Sequence, residues 1–167
     1  MCPQYPESVT IDNVKLPEST EWALHCVAAL AQVPDETVSG TQLAEHFALP
    51  APYLSKQLAL LVRAGVLSGT TGPRGGFRLS RPAVSLTLLD VVEAIDGSRD
   101  PYVCREIRQQ GRGAAPPEEC GERCILAQKM GEAHEAWRAS LAGVTIASLV
   151  ATLPANVLER TRASLSR

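Results

Sequence analysis

The chain has 167 residues, 18 acidic against 16 basic side chains for a net charge of −2, 45% hydrophobic content and 4% aromatic content. That size and balance describe one globular domain with at most a short appendage, and exclude a disordered or fibrous chain. No apolar run reaches the ~18 residues of a bilayer span and MCPQYPESVTIDNVK has no apolar signal core, so a cytoplasmic protein is expected.

Residues 1–15 read as a flexible lead-in, with turn formers and no periodicity. A helix is expected from Pro17 to Gln32, because Ala23, Leu24, Val27, Leu30 and Ala31 recur at helical spacing. Pro34 and Asp35 end it. A second helix covers Thr41–Leu49 and a third Pro50–Gly65, with Leu54, Leu58 and Leu61 facing the core and Gly65 as the stop. Two strand-like runs follow, VLSGTT and GFRLSR, joined by the turn GPRG. Thr87 and Asp90 stand at capping-box spacing and open a fourth helix that stops at Gly97. Residues 98–123, rich in Gly, Pro and charge, read as a long loop with a helical fragment. A long helix from about Cys124 to Leu141 carries the stripe Leu126, Met130, Ala133, Trp137 and Leu141. A short helix at Thr145–Val150 precedes a tail that frays after Pro154.

Averages conceal two local features. Between Glu45 and Asp90 no acidic residue occurs, while Lys56, Arg63, Arg74, Arg78 and Arg81 give that stretch +5 and leave −7 for the rest. A phosphate backbone responds to local charge, so the stretch points to nucleic acid. Of the cysteines, Cys104, Cys120 and Cys124 fall within one 21-residue stretch. Such clustering in a non-secreted chain indicates metal or redox chemistry more often than structural disulfides. Cys26 reads as a core residue, Cys2 belongs to the lead-in, and His46 and His134 read as surface residues.

Three helices, a hairpin with a Pro-Gly tip and basic charge confined to the third helix and hairpin describe a winged helix-turn-helix. The expected fold class is mainly α with a small β-hairpin wing and a long C-terminal helix. The segments EWALHCVAALA, PYLSKQLALLVRAGVL, GPRGGFRLSRP and SLTLLDVVEAIDG, followed by a cysteine loop and a Trp-containing helix, resemble the Rrf-two (Rrf2) family of winged-helix transcription regulators. The resemblance covers residues 17–152 and is most marked to the family's redox-sensing branch. It implies a homodimer on double-stranded operator DNA, held by Leu126, Met130, Trp137 and Leu141. The domain plan is 16–98 for the DNA-binding head, 99–123 for a cluster-binding loop, 124–153 for dimerisation helices and 154–167 for the tail.

For DNA the candidate residues are Tyr53, Ser55, Lys56 and Gln57 on the third helix and Arg74 and Arg78 on the wing. Pro50 and Pro52 depart from the serines the family often carries there, so no operator sequence follows. The resemblance also implies an iron–sulfur cluster, expected as 2Fe-2S with 4Fe-4S as an alternative. The preferred ligands are Cys120 and Cys124 from one chain with Glu21 and His25, four apart on one helix face, from its partner. Cys104, 16 residues before Cys120, stands outside this preferred set, and the second choice joins all three loop cysteines with His25. Trp22 is the expected redox lever. Two other readings stand beside this one: a metal-free thiol–disulfide switch on DNA, and a zinc-stabilised module that binds no DNA. No nucleophile–base set, phosphate loop or HExxH motif points to an enzyme, and no small-molecule substrate is expected.

Overall fold

A computed structural model of the chain describes residues 16–72, 75–100, 102–121 and 124–166. The lead-in with Cys2, and the wing-tip Arg74, lie outside the described residues. Seven α-helices and one hairpin are described: α1 (Glu18–Leu30), α2 (Gly40–Phe47), α3 (Ala51–Arg63), β1 (Leu67–Thr70), β2 (Gly76–Leu79), α4 (Leu88–Asp96), α5 (Ile125–Ala142), α6 (Ile146–Ala151) and α7 (Ala155–Leu165). None of the described helices is long and apolar enough to cross a membrane. The protein is thus mainly helical with one two-stranded antiparallel sheet, as the sequence predicts.

Local chemistry sets the boundaries of the head. Ser39 caps α2, accepting from the Gln42 amide at 3.1 Å while the Gln42 side chain accepts from the Ser39 amide at 2.9 Å. Pro52 is accommodated in the first turn of α3, where a missing N–H costs nothing. The helix ends at Gly65, whose φ of +73° lies in the left-handed region that favours glycine. Leu54, Leu58 and Leu61 then face inward, joining Ala23, Cys26, Val27 and Leu30 of α1, Leu43 of α2 and Val91 of α4 in one core. Burial pushes the Cys26 thiol up to about 12, so this cysteine is an inert core group.

The wing pairs Leu67 with Leu79 and Thr70 with Gly76. It is joined to the head by Val38, whose amide donates to the Phe77 carbonyl at 3.1 Å and whose carbonyl accepts from Phe77 at 2.8 Å. The approach is close enough to demand glycine at 76, since a Cβ there would lie 2.4 Å from the Val38 carbonyl oxygen.

At the start of α4 the expected capping box is present, with Thr87 and Asp90 bonding reciprocally at 2.7 and 3.2 Å. Arg81 adds an ion pair to Asp90 at 3.0 Å and donates to the carbonyls of Ser85 and Gly65. Burial raises the Asp90 carboxyl, but the Thr87 amide and hydroxyl and the Arg81 guanidinium outweigh it and hold it below its ordinary value of 3.8. A carboxyl held low in the folded state contributes stability that is present above the unfolded value and lost as pH falls through the folded one. Asp90→Asn is therefore expected to cost about 0.5–2 kcal/mol at pH 7. Urea midpoints of wild type and variant should converge in acid, where the carboxyl is protonated in both states.

Three features differ from the sequence reading. The segment after Pro154, expected to fray, is an 11-residue helix with Thr161 and Leu165 buried. It is anchored on α2 through His46 Nδ1, 2.8 Å from the Ser164 hydroxyl, and Arg162 Nε donates to the Gln32 carbonyl at 3.3 Å. Its weak apolar pattern and the helix-breaking Pro154 hide it, because tertiary anchoring supplies what propensity lacks. His46 is half-buried against this helix, where burial, then Arg160, lowers its pKa, and His134 is half-buried on its own helix and stacks on Trp137 at 5.6 Å.

Candidate nucleic-acid interface and cysteine site

Helix α3 divides cleanly into two faces. Its leucines are buried, while Tyr53 is 59% exposed and Lys56 stands beside it with Nζ 5.4 Å from the ring centre. A lysine over an aromatic face keeps its charge outward and its stem ordered. Ser55 is exposed, with its hydroxyl donating back to the Ala51 carbonyl at 2.8 Å, and Gln57 is half-buried at the edge. On the wing Arg78 is exposed, with Nε 3.4 Å from the Ser68 hydroxyl. The head thus brings Tyr53, Ser55, Lys56 and Gln57 onto one outward turn of helix. Arg81 belongs to a different class, since its guanidinium is engaged with Asp90 and two carbonyls. One of the five positive charges in the acid-free stretch therefore braces the fold.

The cysteines lie at the opposite end of the chain's logic, where the long loop enters α5. Cys124 is the residue immediately before α5 and is 8% exposed. Its sulfur accepts from the amides of Ala127 and Leu126, and the Cys104 thiol and Arg108 guanidinium add to them. Together they outweigh desolvation and hold the Cys124 thiol below its ordinary value. The cause is general: unpaired amides at a helix N-terminus favour a negative sulfur. Cys104, doubted because of its distance along the chain, is thus a side-chain neighbour of Cys124. Cys120 closes a 3-10 turn over Pro117–Cys120, is half-exposed, and shares the field of Arg108 with Cys124.

Arg108 is the residue that spacing did not reveal. Glu106 takes a left-handed φ of +50°, uncommon outside glycine, and its carboxylate accepts from Arg108 Nε and the terminal nitrogen at 2.5 and 2.8 Å. This fork holds the guanidinium toward Cys120 and Cys124, and Arg108 binding raises its own pKa. Only the pair Glu-x-Arg in the loop hints at it. Around Cys104, Arg108 and Cys124 lies a cleft of about 550 Å³ rimmed by Val103, Ile107, Ile125 and Leu126, which are 60–75% exposed.

Glu21 and His25 occupy an exposed face of α1, and both line a separate surface cleft with Thr20. Thr20 is 1% exposed, yet its hydroxyl oxygen has no hydrogen-bond partner. The His25 ring also approaches Phe47 at 5.8 Å. Trp22 is half-buried between the two faces. Among the described residues, no three His, Cys, Asp or Glu side chains of one chain come close enough to hold a metal ion. The two halves of the expected ligand set therefore remain apart within a single chain. Of the stripe on α5, Leu126 is 63% and Met130 44% exposed, while Trp137 and Leu141 are half-buried. The same helix is fixed to α4 by the ion pair of Arg138 with Glu93.

The model of the Rrf2 family, described as an iron-dependent transcriptional regulator, matches residues 16–152. The chain belongs to the Rrf2 family. Among its relatives, the HTH-type transcriptional regulator YwgB of Bacillus subtilis is 28% identical over 126 residues, 74% of this chain and 76% of YwgB. The solved structure of CymR, the global cysteine regulator of B. subtilis, superposes with a TM-score of 0.66 at 18% identity, covering 84% of this chain and 99% of CymR. IscR of T. potens superposes with a TM-score of 0.63 at 17% identity, over 89% of this chain and 98% of IscR. This Rrf2 protein is therefore a DNA-binding transcription regulator of winged-helix fold, and not an enzyme.

Proposed function

We propose that this Rrf2 chain acts in the cytoplasm as a homodimer whose operator affinity is switched by a redox-active iron–sulfur cluster between its two subunits. The observation that carries the reading is Cys124 at the mouth of α5, favoured as a thiolate by the amides of Ala127 and Leu126, with Arg108 facing both Cys124 and Cys120. The donor set suits such a group, because thiolates, imidazole and carboxylate together ligate iron. Cys120 and Cys124 of one chain hold it, with Glu21 and His25 supplied by a second copy, and Cys104 stands beside Cys124 as a further donor. A 2Fe-2S cluster, the form we favour over 4Fe-4S, supplies a one-electron change of charge when bound.

The chain's own residues carry that change to DNA. Glu21 and His25 sit on α1, which packs on α3 and α4 within the shared core. A shift of α1 that follows its two donors, with Trp22 as the lever, thereby reaches Lys56 and Gln57 through packed side chains. The apolar residues exposed at the start of α5 fit burial against a second copy. Protein purified without air is expected to be coloured and to contain iron. Colourless, iron-free protein after anaerobic reconstitution would end the cluster reading.

The contact of Cys104 with Cys124 favours one second reading, a metal-free switch in which a hydroperoxide oxidises the pair to a disulfide and is itself reduced to an alcohol and water. A Cys104–Cys124 linked peptide in iron-free protein that still responds on DNA would select it.

A further inference from the structure

A third cavity lies away from the cysteine loop, under the last helices. It measures about 400 Å³ and is walled by Leu24, Ala28 and Ala29 of α1, Phe47 of α2, and Leu153 and Val157 at the C-terminal end. That volume lies within the range of small-molecule sites. Its polar lining residues are His25, Gln32 and Thr161, and no lysine, arginine, aspartate or glutamate lines it among the described residues. Gln32 is 7% exposed. The Gln32 amide nitrogen donates to the Ala28 carbonyl at 3.1 Å, which fixes the side chain and leaves its oxygen without a hydrogen-bond partner.

A buried acceptor of this kind is rare, because the lost hydration is not repaid. Water is a poor remedy here. An ordered water needs two to four polar partners, and the polar lining is limited to Gln32, His25 and Thr161 among walls built mainly of Leu, Ala, Phe and Val. An occupant that is itself apolar and carries one donor satisfies both the walls and Gln32. With no lysine or arginine in the lining, a carboxylate or phosphate would lose its solvation with His25 as its one possible counter-charge among the described residues.

Leu153, Val157 and Thr161 form one wall and lie beyond residue 152, where the match to the Rrf2 family ends. Val157 and Thr161 belong to α7, which is fastened to α2 by the His46 contact with Ser164, so an occupant lies between α7 and the DNA-binding head. We infer that this cavity is a binding site for a neutral, largely apolar small molecule with a single hydroxyl or N–H group that donates to the Gln32 carboxamide oxygen.

The matched probes 2-naphthol and 2-methylnaphthalene differ in that donor alone. Titrated against the full-length protein and followed by naphthalene fluorescence, 2-naphthol is expected to bind saturably, one per chain, and about tenfold more tightly. Gln32→Leu should erase the preference while 2-methylnaphthalene still binds, and Ala28→Phe should block both. Absence of saturable binding to wild type, equal affinity for the two probes, or a preference that survives Gln32→Leu overturns the assignment. Where Gln32→Leu fails to fold, Gln32→Met serves as the second variant, and a preference that survives it likewise overturns the assignment.

Discussion

Replacing Cys120 and Cys124 together with serine is expected to abolish iron binding and visible absorption after anaerobic reconstitution. Serine keeps the size of the side chain but removes the soft thiolate that holds iron. The loss should be complete, because Glu21 and His25 lie on another face and no three donors of one chain gather among the described residues. The variant should remain folded, since Cys120 and Cys124 stand outside the core of α1, α3 and α4. Glu21→Ala with His25→Ala should give the same iron-free protein for a different reason. Mixing the two double variants then becomes informative. A heterodimer carries one intact set, cysteines from one chain and Glu21 with His25 from the other, so about half the sites reachable in wild type should return in that species. Failure of the mixed dimer to take up iron would place all the ligands in one chain and contradict the shared site.

Removing Lys56 and Gln57 should have the second large effect, on DNA. These side chains emerge from the outward face of α3, while Leu54, Leu58 and Leu61 anchor the opposite face in the core. A side chain that bonds a base edge contributes about 1–3 kcal/mol of discrimination, or roughly 5–150-fold in affinity. Lys56→Ala and Gln57→Ala are each expected to weaken operator binding within that range and to relax sequence preference. Arg78→Ala differs in kind. An exposed wing arginine that touches phosphate should lower affinity evenly across sequences and reduce the salt slope by about one unit. Gel shift over a salt series separates the two behaviours, and unchanged affinity in Lys56→Ala would remove α3 as the reading helix.

Much of the head was legible because its signals are local and redundant. The leucines of α3, the stop at Gly65, the Thr87–Asp90 box and the two paired runs of the hairpin each follow from short-range chemistry, and they agree with one another. What stayed hidden depends on distant partners. The helix Ala155–Leu165 is held by His46 and Gln32, more than a hundred residues away, and its own pattern predicts little. By sequence Arg81 is one more positive charge of the acid-free stretch, whereas its bonds to Asp90, Ser85 and Gly65 make it a brace of the fold. Cys104 looked remote because sequence distance overstates separation when a loop folds back on a helix start, as it does at Cys124. Glu106 with its left-handed backbone, and the unpaired oxygen of Gln32, leave no trace in composition or periodicity.

The central claim is that one electron at the subunit interface changes the grip on DNA. The direct measurement is operator affinity of anaerobically reconstituted protein at fixed salt, recorded while the visible spectrum is followed through reductive titration. The account predicts that affinity changes about tenfold or more in step with the spectral transition, a coupling of about 1.4 kcal/mol. Affinity that stays constant through full reduction of a bound cluster would contradict it.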